Sequence, residues 1–233
     1  MTEASKGSTA VASTGWDEAA AAGWVARDER SAELTTPWQL TATIVGGDRP
    51  ELRRVLDVAS GPGGYLQTIL EAFPDAEGVW YDFSETMRAQ AAANLAHFAG
   101  RVSYVIGDIV GLEAAGAAES FDLVTTSRAT HHLTVFDLGR FYSQAAERLV
   151  PGGWVANLDN LNPGEPWSSR LRAARAAMRG PRPRQTANHP HLVPAPSMED
   201  HLACIRAAGF EPPLVVWRSL SSGLVMAKKP AAG

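Results

Sequence analysis

The stretch VLDVASGPGGYL, residues 55–66, runs from apolar residues straight into a bend rich in glycine. The apolar run contains one acid, Asp57, and the bend carries Gly61, Gly63 and Gly64. In an open α/β sheet the ligand binds outside the carboxyl ends of the strands, and the first strand-to-helix turn comes closest to it. Glycine permits that approach because it has no Cβ. The stretch therefore predicts a first strand and a ligand-binding turn, with a tight turn that serves packing as the alternative.

Strands and helices alternate after this stretch. The apolar segments RRVLDV, EGVWY, VSYVI, FDLVTT and WVANL predict strands, and helical spacing predicts helices at 65–73, after the cap Ser84 as far as Gly100, and at 135–149, with PGG at 151–153 as a turn. Continuous apolar strands separated by amphipathic helices are typical of a parallel sheet covered on both faces. The final LVVWRSLSSGLVMAKK indicates an antiparallel hairpin. We predict an α/β fold with a doubly wound, mostly parallel seven-stranded sheet, helices on both faces and a C-terminal antiparallel hairpin.

The segments outside this alternation predict a tail and a cap. Residues 1–14 lack apolar periodicity and indicate a flexible tail, and 15–233 form a single domain. Two helices are predicted before the first strand, one around Trp16 and Trp24 and one with Thr36 as its cap, Pro37 in its first turn and Gly46 as its stop. Further helices are predicted at 167–178 and at 197–208, the latter with a Ser197/Asp200 capping box. We expect 16–47 and 159–197 to cap the carboxyl edge of the sheet.

Composition excludes several classes of protein. The chain has 233 residues, a net charge of −4 and one cysteine, Cys204, which we interpret as a plain buried thiol. No segment approaches the ~18 apolar residues that span a bilayer, and no secretory signal is evident, so a cytoplasmic protein without a membrane partner is expected. The acidic balance argues against a nucleic-acid partner. Nothing in the sequence indicates the oligomeric state.

The bend resembles the first motif of the class I methyltransferases that use S-adenosylmethionine. That motif is an acid one position before a G-x-G-x-G bend, and Asp57 with Gly61 and Gly63 matches it, whereas Ala59 stands at the first family glycine. The resemblance implies that Asp57, Ala59, Ser60, Gly61 and Gly63 hold the amino-acid end of the cofactor. The substitution by Ala59 requires a backbone conformation there that accepts a Cβ.

The resemblance continues in order over roughly residues 50–160. It implies that Asp82 binds both ribose hydroxyls, that Phe83 and Met87 lie against the adenine, and that Asp108 and Ile109 meet its edge. FDLVTTSRATHHL, with Ser127, matches the stretch after the fourth strand, and LVPGGWV matches the turn before the fifth. The expected cofactor is S-adenosylmethionine on a Rossmann-like domain, and the expected partner is a small organic acceptor methylated on oxygen, nitrogen or carbon.

Candidate catalytic and substrate-binding residues are less sharply marked. His131 and His132 follow the fourth strand, where a base for a hydroxyl acceptor would lie, although a packing role is open. Asn157 and Asn160 follow as substrate contacts, and Asp159 lies between them; no metal-ligand spacing is present, so no metal is expected. Tryptophans of the cap, namely Trp16, Trp24, Trp38 and Trp167, would line the acceptor site or fill helix-to-sheet interfaces.

Three alternatives to methyl transfer onto a small molecule remain at this level. The bend together with Asp82 also suits a nicotinamide-dependent oxidoreductase, although Leu66 stands where the G-x-G-x-x-G fingerprint has its last glycine. A cofactor-binding protein with no transfer activity, or with a non-methylating reaction, is the second. The third is an RNA methyltransferase, which depends on six arginines between Arg170 and Arg184; a solvated face or recognition of an acceptor carboxylate or phosphate is open for them.

Overall fold

The chain forms a seven-stranded sheet flanked by helices in a computed structural model that describes residues 32–118, 120–179 and 195–233. The strands are β1 Arg54–Val58, β2 Glu77–Asp82, β3 Val102–Ile106, β4 Phe121–Ser127, β5 Leu149–Asn160, β6 Leu214–Ser219 and β7 Ser222–Lys228. The helices described are α1 Ala32–Asp48, α2 Gly64–Ala72, α3 Glu85–Asn94, α4 Val135–Arg148, α5 Trp167–Arg179 and α6 Met198–Ala207, with 3₁₀ turns at Ala96–Phe98, Leu112–Ala115 and Thr130–His132.

The strand order confirms the predicted fold class. The order is β3-β2-β1-β4-β5-β7-β6, with β1 parallel to both β2 and β4 and with β7 antiparallel to β5 and β6. The order reverses between β1 and β4, and ligands bind at such a switch point in open α/β sheets.

Two apolar layers cover the sheet. Helices α1, α2 and α3 pack on one face around residues such as Trp80 and Leu123, whereas α4 and α6 pack on the other around Tyr81 and Val124. Neighbouring residues of one strand thus point into different layers, because successive side chains alternate across a sheet. Burial on both faces explains why the strands read as continuous apolar runs.

Three predicted boundaries were wrong, each because a tertiary contact overrides a local signal. Helix α1 continues through Pro37 and past Gly46 to Asp48, whose carboxylate accepts hydrogen bonds from Lys228 Nζ at 2.8 Å and Trp154 Nε1 at 2.9 Å. The α-helix after Ser84 ends at Asn94, which bonds the Pro62 carbonyl at 3.0 Å.

The third boundary is PGG, which is part of β5 and not a turn before it. Gly152 adopts φ 73°, its amide donates to the Lys229 carbonyl at 3.1 Å, and the Gly153 carbonyl accepts from the Lys229 amide at 2.7 Å. These bonds keep the segment within the sheet. The pairing of β4 with β5 is irregular at this point, since Phe121 pairs with Leu149 but Leu123 pairs with Trp154, and PGG lies in the extra length of β5 between them.

The predicted tail and part of the predicted cap lie outside the described residues. The tail 1–14, the helix around Trp16 and Trp24, and residues 180–194 belong to this part. The capping box of α6 is present, with Ser197 and Asp200 bonded to each other's backbone. Within residues 32–118, 120–179 and 195–233, no helix has the length and apolarity to cross a membrane.

Candidate active site

A cleft opens at the carboxyl ends of β1, β2, β3 and β4, at the switch point of the sheet. Its open volume is about 970 Å³, including solvent space at its mouth. Of the site residues predicted from sequence, those that line it are Asp57, Ala59, Ser60, Gly61, Asp82, Phe83, Met87, Asp108, Ile109, Ser127 and His132. The ordered motifs therefore converge on one cavity.

The turn between β1 and α2 is built from left-handed backbone. Gly61 has φ 54° and Gly63 has φ 88°, and a Cβ on Gly63 would lie 2.8 Å from Leu95 Cδ1. Gly63 faces Leu95 and is not part of the cleft lining, so it shapes the loop from behind. Ala59 also adopts a left-handed φ of 52°. The backbone at Ala59 thus accommodates the Cβ of alanine, at a cost of about 1–2 kcal/mol of conformational strain.

Replacing Ala59 with glycine is expected to raise the free energy of unfolding by about 0.5–1 kcal/mol. Relief of the left-handed strain outweighs the extra chain entropy of glycine in the unfolded state. Urea denaturation measures the change. The same replacement at Ala89, exposed in the middle of α3, is the control and should cost about 1 kcal/mol. Equal destabilisation by both replacements would contradict the prediction.

Asp57 lies at the floor of the cleft and is buried. Its Oδ2 accepts from Ser60 Oγ at 2.5 Å, and its Oδ1 accepts from Thr125 Oγ1 at 2.7 Å. Burial raises the pKa of Asp57 to about 6, although these two hydrogen bonds counteract part of the effect and Asp82 adds to it. Ionisation of Asp57 therefore carries a desolvation cost, which a nearby cation would reduce.

Asp82 ends β2 and connects it to the loop after β1. Its Oδ2 accepts from the Gly61 amide at 2.9 Å, its Oδ1 accepts from the Ser84 amide at 3.0 Å, and only 6% of the residue is exposed. Trp80 Nε1 donates to the Gly61 carbonyl at 2.7 Å, which fixes the loop from the same strand. An ionised carboxylate only accepts hydrogen bonds, so Asp82 brings an acceptor group to the lining of the cleft.

Phe83, Met87, Asp108 and Ile109 form the side of the cleft at the ends of β2 and β3. Asp108 Oδ1 accepts from the Val110 amide at 3.1 Å, so the side chain has a defined orientation. Gly107 precedes it, and a Cβ there would lie 2.0 Å from the Tyr81 hydroxyl, which donates to the Gly111 carbonyl. Only glycine fits at Gly107, a requirement that the strand pattern alone does not reveal.

An aromatic wall closes the cleft opposite these residues, and sequence reasoning missed most of it. Trp38 of α1 stacks on Tyr65 of α2 with ring centroids 5.5 Å apart, and Trp38 Nε1 donates to Ser127 Oγ at 3.4 Å. The Tyr65 hydroxyl bonds Thr41 Oγ1 at 2.6 Å. Trp38 was expected in an aromatic cap, and the lining residues that were not predicted are Leu34, Pro62, Tyr65, Gly107, Arg128, Ala129 and Leu133.

The two histidines have different surroundings. His132 lines the cleft, and His131 packs behind it with ring centroids 4.1 Å apart. His131 Nδ1 lies 2.5 Å from Asp159 Oδ1, and the His131 amide donates to Asp159 Oδ2 at 2.9 Å. Burial opposes ionisation of Asp159, but the attraction to His131 and the hydrogen bonds from His131 and Thr130 outweigh it and lower the pKa of Asp159.

Three predicted substrate contacts, Asn157, Asn160 and Trp167, do not line the cleft. Asn157 is buried and donates to Thr130 Oγ1 at 3.0 Å and to the Tyr142 hydroxyl at 2.8 Å. Asn160 accepts from Arg128 at 2.7 Å, and Trp167 is 55% exposed on α5. Trp16 and Trp24 fall outside the described residues. Within the described ranges, no three His, Cys, Asp or Glu side chains cluster so that they could hold a metal ion.

Comparison with known proteins places this geometry in context. A family model described as a methyltransferase domain matches residues 55–153. The chain is 32% identical over 134 residues to the demethylmenaquinone methyltransferase of Roseiflexus castenholzii, covering 57% of this chain and 53% of that protein. It is 31% identical over 187 residues to the ubiquinone/menaquinone biosynthesis C-methyltransferase UbiE of Cereibacter sphaeroides, covering 74% of this chain and 71% of that protein.

Among solved structures, an O-methyltransferase family protein from Burkholderia thailandensis superposes with a TM-score of 0.65 at 18% identity. The match covers 86% of this chain and 58% of that one, and at this identity it supports the fold alone. The chain thus spans about half the length of the Roseiflexus protein and somewhat more of the Burkholderia protein.

Proposed function

Because the chain belongs to the class I S-adenosylmethionine-dependent methyltransferases, we propose that it transfers a methyl group from this cofactor to a small organic acceptor bound in the same cleft. The observation that carries the proposal is the convergence of Asp57, Asp82, Asp108 and Ser127, each at or near the carboxyl end of a different strand, on one cavity. A cytoplasmic location stays a prediction from sequence.

The residues of the cleft fit this cofactor. Asp82 would accept from the two ribose hydroxyls, while Phe83, Met87 and Ile109 provide an apolar slot for the adenine with Asp108 at its edge. The bend from Ala59 to Gly63 leaves room for the amino-acid end, with the Asp57 carboxylate at the floor. When bound, the cofactor supplies a methyl group on a sulfonium, which an acceptor takes by in-line displacement.

The nicotinamide alternative has less support. A dinucleotide pyrophosphate would lie at the N-terminus of α2. Trp38 packs beside that N-terminus, since a Cβ on Gly64 would be 3.0 Å from two atoms of its ring. Leu66, at the place of the last fingerprint glycine, is fully buried in the core.

For the acceptor we propose a planar aromatic molecule of the quinol class. Leu34, Trp38 and Leu133 provide apolar and aromatic surface, and His132 is a polar group beside it. The two relatives are named for demethylmenaquinone and for ubiquinone/menaquinone biosynthesis, which are quinones. His132 would take the hydroxyl proton of such an acceptor, which makes the ring more nucleophilic; proton transfer of this kind contributes about 10²–10⁴-fold.

The proposal is tested by following transfer of an isotopically labelled methyl group to a panel that contains a naphthoquinol, a catechol and an aromatic amine. The expected result is product with the quinol, reduced at least about 100-fold by His132→Gln at unchanged cofactor affinity. His131→Gln serves as a comparison, because His131 packs behind the cleft lining. Cofactor binding without a methylated product from any member would support the cofactor-binding alternative instead.

The affinity for S-adenosylmethionine is expected to fall about tenfold per pH unit below pH 6. The pKa of Asp57 is raised to about 6, so the carboxylate protonates below that pH and ceases to attract a cationic ligand; above it, the affinity levels off. Isothermal titration calorimetry between pH 5 and 8 measures the profile. The Asp57→Asn variant is the control, with weaker affinity and a flat profile, and an equally steep profile in that variant would assign the titration to another group.

A further inference from the structure

Helix α5, Trp167–Arg179, is the least buried helix of the described chain. Ser168, Leu171 and Arg175 are partly buried, and the other side chains described on the helix are exposed. Among the described residues, Ser168 Oγ donates to Asn162 Oδ1 at 3.0 Å, Arg172 donates to Glu165 Oε1 at 3.1 Å and Arg175 donates to Ser222 Oγ at 3.2 Å. Most of its surface is therefore available to a partner.

An apolar stripe runs along this helix at helical spacing. It consists of Trp167, Leu171, Ala174 and Met178, which recur at i, i+4, i+7 and i+11. Trp167 is 55% exposed and Met178 is 79% exposed, although large apolar side chains are normally buried. A stripe that exposes Trp167, Ala174 and Met178 in this way indicates contact with an apolar phase.

Arginines border the stripe, and the segment that follows Glu165, which pairs with Arg172 at 3.1 Å, contains no acid. Arg172 and Arg175 lie on one side of it and Arg170 on the other, with the Arg170 guanidinium 5.2 Å from the centre of the Trp167 ring. Residues 166–198 contain six arginines and no Asp or Glu, in a chain whose net charge is −4. The charge of this segment is thus opposite to that of the protein as a whole.

We propose that α5 is a docking helix for the surface of an anionic lipid bilayer. A bilayer interface accepts both features together: the apolar stripe enters the headgroup and acyl boundary while the flanking arginines meet lipid phosphates. RNA would engage the arginines but leave the Trp167–Met178 stripe exposed. This proposal departs from the sequence expectation of no membrane partner, which was drawn from the lack of a segment long enough to span a bilayer.

The helix lies at the edge of the sheet where the cleft opens. It follows β5, whose last residue Asn160 accepts a hydrogen bond at 2.7 Å from Arg128, a residue of the cleft lining. Docking through α5 would place the cleft near the bilayer surface. The inference does not depend on methyl transfer, because binding is measured without cofactor or acceptor.

The experiment is co-sedimentation of the full chain with vesicles of phosphatidylglycerol and phosphatidylcholine, or of phosphatidylcholine alone. We expect binding to the anionic vesicles that weakens as salt is added, and at least about fivefold weaker binding to the neutral ones. The double variant Arg170→Gln/Arg172→Gln should lower the partition coefficient about 25-fold, at about fivefold per arginine. Trp167→Ser should lower it about fivefold.

Matched controls separate the helix from general surface charge. Arg88→Gln/Arg140→Gln removes two half-exposed arginines that also have acidic neighbours, and Phe136→Ser removes an apolar side chain that is 76% exposed on α4. Both controls should bind within about twofold of the unmodified chain. The proposal is overturned if anionic vesicles are not bound, if the controls lose as much binding as the α5 variants, or if the arginines of α5 govern binding of a single-stranded RNA oligonucleotide but not of vesicles.

Discussion

Replacement of Asp82 by alanine is expected to weaken S-adenosylmethionine binding by a factor of about 100 or more. Hydrogen bonds to a charged group contribute about 1.5–3 kcal/mol each, and two ribose hydroxyls would lose this acceptor. The same carboxylate accepts from the Gly61 amide, so the loop after β1 also loses its tether. Asp82→Asn retains one acceptor oxygen, so its affinity should lie between those of Asp82→Ala and the unmodified chain. Isothermal titration calorimetry measures all three affinities.

The control for Asp82 is Glu85→Ala, which removes the same charge from an exposed side chain in the first turn of α3. The S-adenosylmethionine affinity of Glu85→Ala should stay within about twofold of that of the unmodified chain, because an exposed charge is screened by solvent. Circular dichroism establishes that each variant is folded. Affinity of folded Asp82→Ala within about threefold of the unmodified chain would remove the ribose role from Asp82, and with it the main support for how the cleft binds its cofactor.

The positions of Asp82 and Asp108 could be predicted from sequence because each follows directly from a strand. Once the apolar runs are recognised as parallel strands, their carboxyl ends must share one edge, and residues just beyond them meet there. The order and spacing of the motifs add to this, since they are features of the chain itself. The fold class and the side of the cleft that contains Asp82 and Asp108 could therefore be predicted from local patterns alone.

The aromatic wall could not be predicted in the same way. Trp38 reaches the cleft because α1 packs beside α2 and stacks it on Tyr65, and no local pattern encodes this contact. The backbone of the PGG segment, residues 151–153, also depends on a tertiary contact that no local pattern encodes. Its residues favour a turn, but ladder bonds to Lys229, near the end of the chain, hold it within the sheet.

Sequence also could not decide which histidine faces the cleft. His131 and His132 lie in one 3₁₀ turn, Thr130–His132, in which neighbouring side chains point about 120° apart. Their orientation depends on Asp159, which lies 28 positions away from His131 and pulls it into the interior. The cluster of Asn157, Asp159 and Asn160 resembles a substrate site in sequence, yet its hydrogen bonds face the protein.

Asp159→Ala is expected to lower the free energy of unfolding by about 3–5 kcal/mol at pH 7. Asp159 is fully buried and accepts four hydrogen bonds, from His131 Nδ1 at 2.5 Å, the His131 amide at 2.9 Å, Thr130 Oγ1 at 2.6 Å and the Asn160 amide at 2.6 Å. Removal of the carboxylate takes away the buried acceptor that these donors share and breaks the contact with His131, which costs as much as breaking a buried ion pair. Urea denaturation measures the loss, and Asp75→Ala, at an aspartate whose side chain is 82% exposed, should change it by less than about 0.5 kcal/mol.

The loss caused by Asp159→Ala should also depend on pH, with a sign that follows from the pKa shift. The pKa of Asp159 is lowered in the folded state, so its carboxylate stabilises the fold above the unfolded pKa of about 3.9, and that stability is lost as pH falls toward the folded value. The difference between the two proteins should therefore become smaller as the pH falls from about 5 to 3. A difference that grows between pH 5 and pH 3 would show that Asp159 is already protonated in the folded protein above this range, and a neutral carboxyl would no longer account for the inward orientation of His131.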